Sequence, residues 1–283
     1  SSIRDPERCI RIMRWAYKFG IYEKLEDNLN FKKAIKRLRR AFIIGLSISF
    51  WIRLSDQKPS PHEDSFRKKF IDNVCEYWRK LLEWDAAAEV KESFPAPKFD
   101  EWKGIIKEEC KKYVDLFVDN DECVSKNEAL SENIWVSFIC IMNNIPLWII
   151  GKPETSKSLA INVVINKLLS QNSRSEKITK CPPLVLQTFT CSNTTTSEDI
   201  MYDIGKLVDR SNMYNNNYII RIQILENMEQ AYLSPFNPLA GLHNIIDNGH
   251  QIHKDISIPV NFIGLSNCSL DSAKMNRGIL LPL

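Results

Sequence analysis

Gly151-Lys-Pro-Glu-Thr-Ser-Lys157-Ser158 follows the apolar run at 145–150 and is followed by Leu159, Ala160 and Ile161, the start of a helical pattern. A strand that breaks into a polar turn and reopens as a helix is the setting of a phosphate-binding loop. Backbone N–H groups at a helix N-terminus favour anions, a lysine at this place reaches the β- and γ-phosphates, and the next hydroxyl residue coordinates Mg²⁺. Lys157 and Ser158 fill those last two places. The match is incomplete, because Ser156 stands where GxxxxGK[ST] has its second glycine. Taken alone, the octapeptide is equally explained by an ordinary strand-to-helix turn rich in small polar residues.

Reading outward, a helical pattern over 128–143 leads into the apolar run, and strand-like runs recur at 184–190, 218–225 and 258–265. Helical patterns at 197–209 and 238–248 separate them. Alternating β and α units imply a parallel sheet flanked by helices, so 128–283 is expected to be an α/β nucleotide-binding core. Residues 1–127 read as all-α, with Ile10, Met13 and Tyr17, then Phe66, Phe70, Val74 and Tyr77, at helical spacing. Prolines at 56–61 and 94–97 cut this half into separate helices. The run at 41–52 is shorter than the roughly 20 residues a membrane span needs and reads as a buried helix. Basic runs at 32–40 and 67–69 read as solvated helix faces rather than a docking patch. Trp15, Trp51, Trp78, Trp84 and Trp102 read as packing residues.

Composition narrows the function classes. The 283 residues carry 38 Lys and Arg against 35 Asp and Glu, a net charge of +3, which leaves no electrostatic footprint for nucleic acid. A hydrophobic fraction of 44% can fill a sizeable core. The 8 cysteines are scattered without CxxC or zinc-ribbon spacing, as free thiols in a reducing, cytoplasmic compartment would be. His250 and His253 have no further ligands near them in sequence and read as a solvated loop, so no structural metal is expected. The opening SSIRDPERCI shows neither an initiator Met nor a signal-peptide pattern, and the run from Gly278 reads as a strand that stops abruptly. The expectation is a segment of a longer product.

Three separated segments lift the octapeptide above a bare motif. IPLWIIGKPETSKSLA at 145–160 resembles the P-loop segment of the mysterin-like giant ring-finger E3 ubiquitin ligase family, whose dynein-like AAA+ core carries GKPGxSKSLA, with serine in the place of Ser156. NEALSENIWVSFICI at 127–141 resembles the helix ahead of that loop, and GLSNCSLDSAKMNRGI at 264–279 resembles the family's GISNWALDPAKMNRGI. The resemblance covers roughly the C-terminal half. It implies an AAA+ module that binds ATP and Mg²⁺ through Gly151, Lys152, Pro153, Glu154, Thr155, Ser156, Lys157, Ser158 and Leu159. It implies Asn267 as the sensor of the γ-phosphate. Arg277 would reach the nucleotide of a neighbouring AAA module of the same parent chain, since an arginine finger acts across an interface. For 1–127 it implies only a position, that of the lid of a preceding module plus a connector. Ubiquitin transfer would belong to the parent, because no RING-like Cys/His cluster is visible in these residues.

The family's next strand ends Leu-Asp-Glu and is followed at a fixed interval by Ser-Pro, Pro-Leu and Leu-His. Ser234, Pro235, Pro238, Leu239, Leu242 and His243 keep that interval, which puts Glu226 at the metal-supporting Asp and Asn227 at the catalytic Glu. Glu226 retains the charge needed to hold Mg²⁺ through water. Asn227 can orient a water but cannot accept its proton, and a positioned base is worth about 10² to 10⁴ in rate. A register that makes Glu226 the catalytic carboxylate requires an insertion before Ser234. Glu229 reads as a solvated loop carboxylate rather than a displaced base. Glu154 replaces a loop glycine, and an inward carboxylate about 4 Å from a phosphate charge costs about 1 kcal/mol in water and about 4 at an effective dielectric of 20. The expected function is an ATP-holding module with impaired hydrolysis; an active ATPase motor segment and a nucleotide-free scaffold are the alternatives.

Overall fold

Residues 4–19, 31–54, 64–85, 94–118, 127–153, 155, 157–170, 178, 181–214, 219–253, 256–270 and 275–282 are described by a computed structural model, without the side chains of 19, 31, 84, 85, 252, 253 and 256. The expectations for Glu154 and Ser156, for the prolines of 56–61 and for Trp84 as a packing residue lie outside the described residues. By internal contacts the chain divides into two units, Ser1–Lys112 and Tyr113–Leu283.

The first unit is helical, as its apolar spacing predicts: α1 (Arg4–Phe19), α2 (Phe31–Ser49), a 3₁₀ turn (Trp51–Arg53), α3 (Phe66–Asp85) and most of α4 (Phe99–Phe117). The apolar run at 41–52 ends α2 and supplies Ile43, Ile48, Trp51 and Ile52 to the core. Each such side chain contributes about 1.5–3 kcal/mol on burial. Trp102 is fully buried and donates its indole N–H to Ser47 Oγ at 2.9 Å, which satisfies the polar end of a large apolar group. The basic runs are in part the expected solvated faces, and their arginines depart from that role. Arg37 is buried, Arg39 pairs with Glu101, Arg40 pairs with Glu108 and Glu109, and the Arg67 guanidinium lies 4.3 Å from the Trp51 ring centroid. Helix packing inside the unit receives these arginines, while Lys32, Lys33, Lys36 and Lys69 are exposed as expected.

In the second unit, Asn127 caps α5 (Glu128–Met142) by accepting the Leu130 N–H at 2.7 Å. This helix is buried nearly all round, and Phe138 packs on Tyr113 and Phe117. A left-handed Asn144 turns the chain into β1 (Leu147–Ile150). Then follow α6 (Lys157–Leu169), β2 (Leu184–Thr190), α7 (Ser197–Asn212), β3 (Ile220–Glu226), α8 (Met228–Leu233), a 3₁₀ turn (Pro238–Ala240) and α9 (Leu242–Asn248). A hairpin of β4 (His250–His253) and β5 (Ile256–Ile258) precedes β6 (Asn261–Ser266) and β7 (Ile279–Pro282). His250 and His253, read as a loop, are the ends of β4. The single helical pattern at 238–248 is broken at Gly241, where any Cβ would sit 3.1 Å from that of Ser197.

Five strands form one parallel sheet in the order β2-β3-β6-β1-β7. The loop-bearing β1 therefore lies between β6 and β7, while the chain leaving it crosses to the far edge at β2. Strand order reverses at β1, and in open α/β sheets ligands settle at such a switch point, outside the carboxyl ends of the strands. Trp148 of β1 lies against Gly264 of β6, where an added Cβ would meet the indole at 2.5 Å. Among the described residues no helix is long and apolar enough to cross a membrane.

Candidate functional site

The carboxyl ends of β1, β3 and β6 meet the start of α6 around a cleft of about 400 Å³, within the usual range for small-molecule sites, about 300–1,000 Å³. Gly151 follows β1 and is tied to β6 by its N–H, which donates to Ser266 O at 3.1 Å. Thr155 Oγ1 donates to Lys152 O at 2.8 Å and closes the turn. The chain then opens α6 at Lys157, and the first three residues of that helix, whose N–H groups have no partner within an α-helix, line the cleft. Pro153, Thr155, Lys157, Ser158 and Leu159 line it from the loop and α6, and Glu226, Asn227, Glu229 and Asn267 from the ends of β3 and β6 and the start of α8.

Lys157 Nζ donates to Gly151 O at 2.5 Å, Lys152 O at 2.7 Å and Asn267 Oδ1 at 3.0 Å. Its three protons thus rest on neutral carbonyl oxygens, and no carboxylate is among these partners. The ammonium charge is available to an anion. Ser158 is exposed and lines the same cleft as Glu226. Glu226, the last residue of β3, accepts the Thr190 hydroxyl on Oε2 at 3.2 Å and keeps acceptor capacity on both oxygens. A cation donor set of hydroxyl and carboxylate, open to water, suits Mg²⁺, which retains several of its waters. The residues fit a phosphate chain with that ion.

Asn227 is exposed and left-handed, with φ 53° and ψ 45°, at the junction of β3 and α8. Asn adopts that conformation more readily than most side chains, so the residue meets a backbone requirement of the turn. Beyond it Met228 is buried, and its Sδ lies 2.1 Å from where a Cβ on Gly264 would sit. Glu229 then turns to the cleft. Its Oε2 accepts the Asn267 N–H at 3.1 Å and its Oε1 accepts the Asn267 side-chain amide at 2.7 Å. The expectation of a solvated loop carboxylate is corrected here: Glu229 lies in the first turn of a helix and is bound. The six residues of α8 are too few to show periodicity, so the spacing did not reveal that Glu229 is bound in a helix. Nearby, burial and then the Glu229 charge push the Cys191 thiol up to about 12, so it stays protonated.

Arg277 stands apart from the cleft, its Nε 3.4 Å from Asp247 Oδ2 of α9. The structure thus brings together Lys157, Ser158, Glu226, Asn227 and Asn267, adds Glu229, and leaves Arg277 elsewhere. Ser234, Pro238, Leu239 and Leu242, whose spacing set the register of Glu226, are buried beneath this region.

A family model described as the RNF213 AAA domain matches residues 123–282. The chain is similar along 99% of its length to E3 ubiquitin-protein ligase rnf213-beta of Danio rerio, at 25% identity, and to E3 ubiquitin-protein ligase RNF213 of Homo sapiens and of Mus musculus, each at 27%. It spans about 5% of the length of these relatives.

Proposed function

Because the chain belongs to the RNF213 AAA domain family, we propose that it is a module that holds Mg-ATP and hydrolyses it slowly. The observation that carries this reading is Lys157, an ammonium at the cleft whose hydrogen-bond partners among the described residues are neutral oxygens, beside the N-terminus of a 13-residue helix. Residues 151–159 cradle the phosphates, Lys157 offsets their charge, and Ser158 with Glu226 holds Mg²⁺. Bound Mg²⁺ would neutralise charge developing on the phosphate oxygens. Asn267, already hydrogen-bonded to Lys157, senses the γ-phosphate.

Slow hydrolysis is supported by Asn227, which can hold a water but cannot take its proton. Arg277 serves a neighbouring module of the parent chain, a role supported by its position away from its own cleft. The N-terminal helices are the lid of a preceding module plus a connector. Ubiquitin machinery would meet this module only through the parent.

The test is thermal unfolding of the protein with Mg-ATP. At a ligand concentration about 100 times Kd, binding stabilises the native state by about 2.7 kcal/mol. A raised midpoint, lost when Mg-ATP is replaced by AMP and absent in Lys157→Ala, is expected. An unchanged midpoint at millimolar Mg-ATP would favour a nucleotide-free scaffold.

A further inference from the structure

The family motif places one catalytic carboxylate directly after the metal-supporting residue, and this chain has Asn227 there. Two residues on, Glu229 brings a carboxylate to the same cleft. The local backbone explains the displacement. Asn227 turns through a left-handed conformation and Met228 is drawn into the core, which aims the next side chain at the carboxyl end of β6. There Glu229 grips Asn267 through one hydrogen bond on each oxygen, at 3.1 and 2.7 Å. A carboxylate oxygen has two acceptor sites, so one on each remains for water. Asn267 in turn presents its Oδ1 to Lys157 Nζ at 3.0 Å, so a single residue links this carboxylate to the phosphate-facing ammonium.

We propose, resting on the nucleotide-holding reading above, that Glu229 is the catalytic base of this module's slow hydrolysis. ATP is the substrate. The oxygen of a water forms a bond to the γ-phosphorus while the bond from that phosphorus to the β,γ-bridging oxygen breaks. The electron pair of the broken bond leaves with ADP, and the proton of the water passes to a free lone pair of Glu229. The two hydrogen bonds to Asn267 hold the carboxylate in place, so sensor and base move as one unit. Asn227 keeps the turn that delivers Glu229.

Single-turnover hydrolysis and the Mg-ATP dissociation constant, measured on the same preparations, test this. Glu229→Gln keeps the size of the side chain and an acceptor for Asn267 but cannot take a proton. Its turnover is expected to fall about 100-fold, while Kd stays within about threefold of the parent protein. Glu229→Asp, which restores the base with a shorter reach, is expected to recover about tenfold of that loss. A Lys157→Ala background reports turnover from any other site. Unchanged turnover in Glu229→Gln would overturn the proposal, as would a fall matched by an equal loss of affinity. Mg-ATP binding without any turnover in the parent protein would also overturn it while leaving the nucleotide-holding reading intact. Failure of the parent protein to bind Mg-ATP would sink that reading and this one with it.

Discussion

Asn227 illustrates how one side chain answers two demands. Its left-handed backbone suits Asn, and the same turn carries Glu229 to the cleft. Restoring the family's residue with Asn227→Glu therefore adds a carboxylate at a cost of about 1–2 kcal/mol in backbone strain. We predict that this variant melts earlier but hydrolyses ATP faster, by about tenfold, in a steady-state phosphate-release assay. A variant that is destabilised without any gain in rate would show that position 227 does not face the attacking water. At this scale the sequence was partly legible. Lys157 and Ser158 stand out because phosphate chemistry demands those types at that spacing, and Glu226 and Asn227 follow from the interval to Ser234. Glu229 does not, because its contact with Asn267 spans 38 residues and depends on a turn conformation no spacing encodes.

Among the elements, β1 and β6 depend on a glycine. The Trp148 indole crosses Gly264, and a Cβ there would meet Met228 Sδ at 2.1 Å and the ring at 2.5 Å. Met228 can move; the ring is wedged in the sheet. Gly264→Ala is predicted to cost about 1–3 kcal/mol by chemical denaturation, as overpacked cores do. Within the first unit, Arg39 joins α2 to α4 through Glu101, and its hydrogen bonds hold that carboxyl below its ordinary value. A depressed folded value means stability present above the unfolded pKa and lost as pH falls through the lower folded one. Glu101→Gln is predicted to weaken the protein near neutral pH and to flatten the acid side of its stability profile, followed by far-UV circular dichroism between pH 6 and about 2. Element types were legible from periodicity, and β2 has the expected bounds. The start of the expected strand at 258–265 belongs elsewhere, since Ile258 pairs in the β4–β5 hairpin and Pro259 cannot donate to a ladder.

For the whole molecule, the two units differ in what their sequences disclose. Residues Tyr113–Leu283 carry a parallel sheet whose order places β1, β3 and β6 side by side, so that loop, metal-side carboxylate and sensor converge from positions more than 100 residues apart. That convergence was inferable because alternating β and α segments leave few right-handed arrangements. The helical unit revealed its class but not its internal ion pairs, since Arg39 and Arg40 find their partners 62 to 69 residues away. Lys157 and its cleft are proposed to hold Mg-ATP. Isothermal titration of Mg-ATP into the protein and into Lys157→Ala tests this most directly. Saturable one-site binding in the parent protein, weakened by at least about 100-fold in the variant as befits a lost charge-assisted contact of roughly 3 kcal/mol, is the predicted result. No heat of binding in the folded parent protein, or equal affinity in the two proteins, would contradict it.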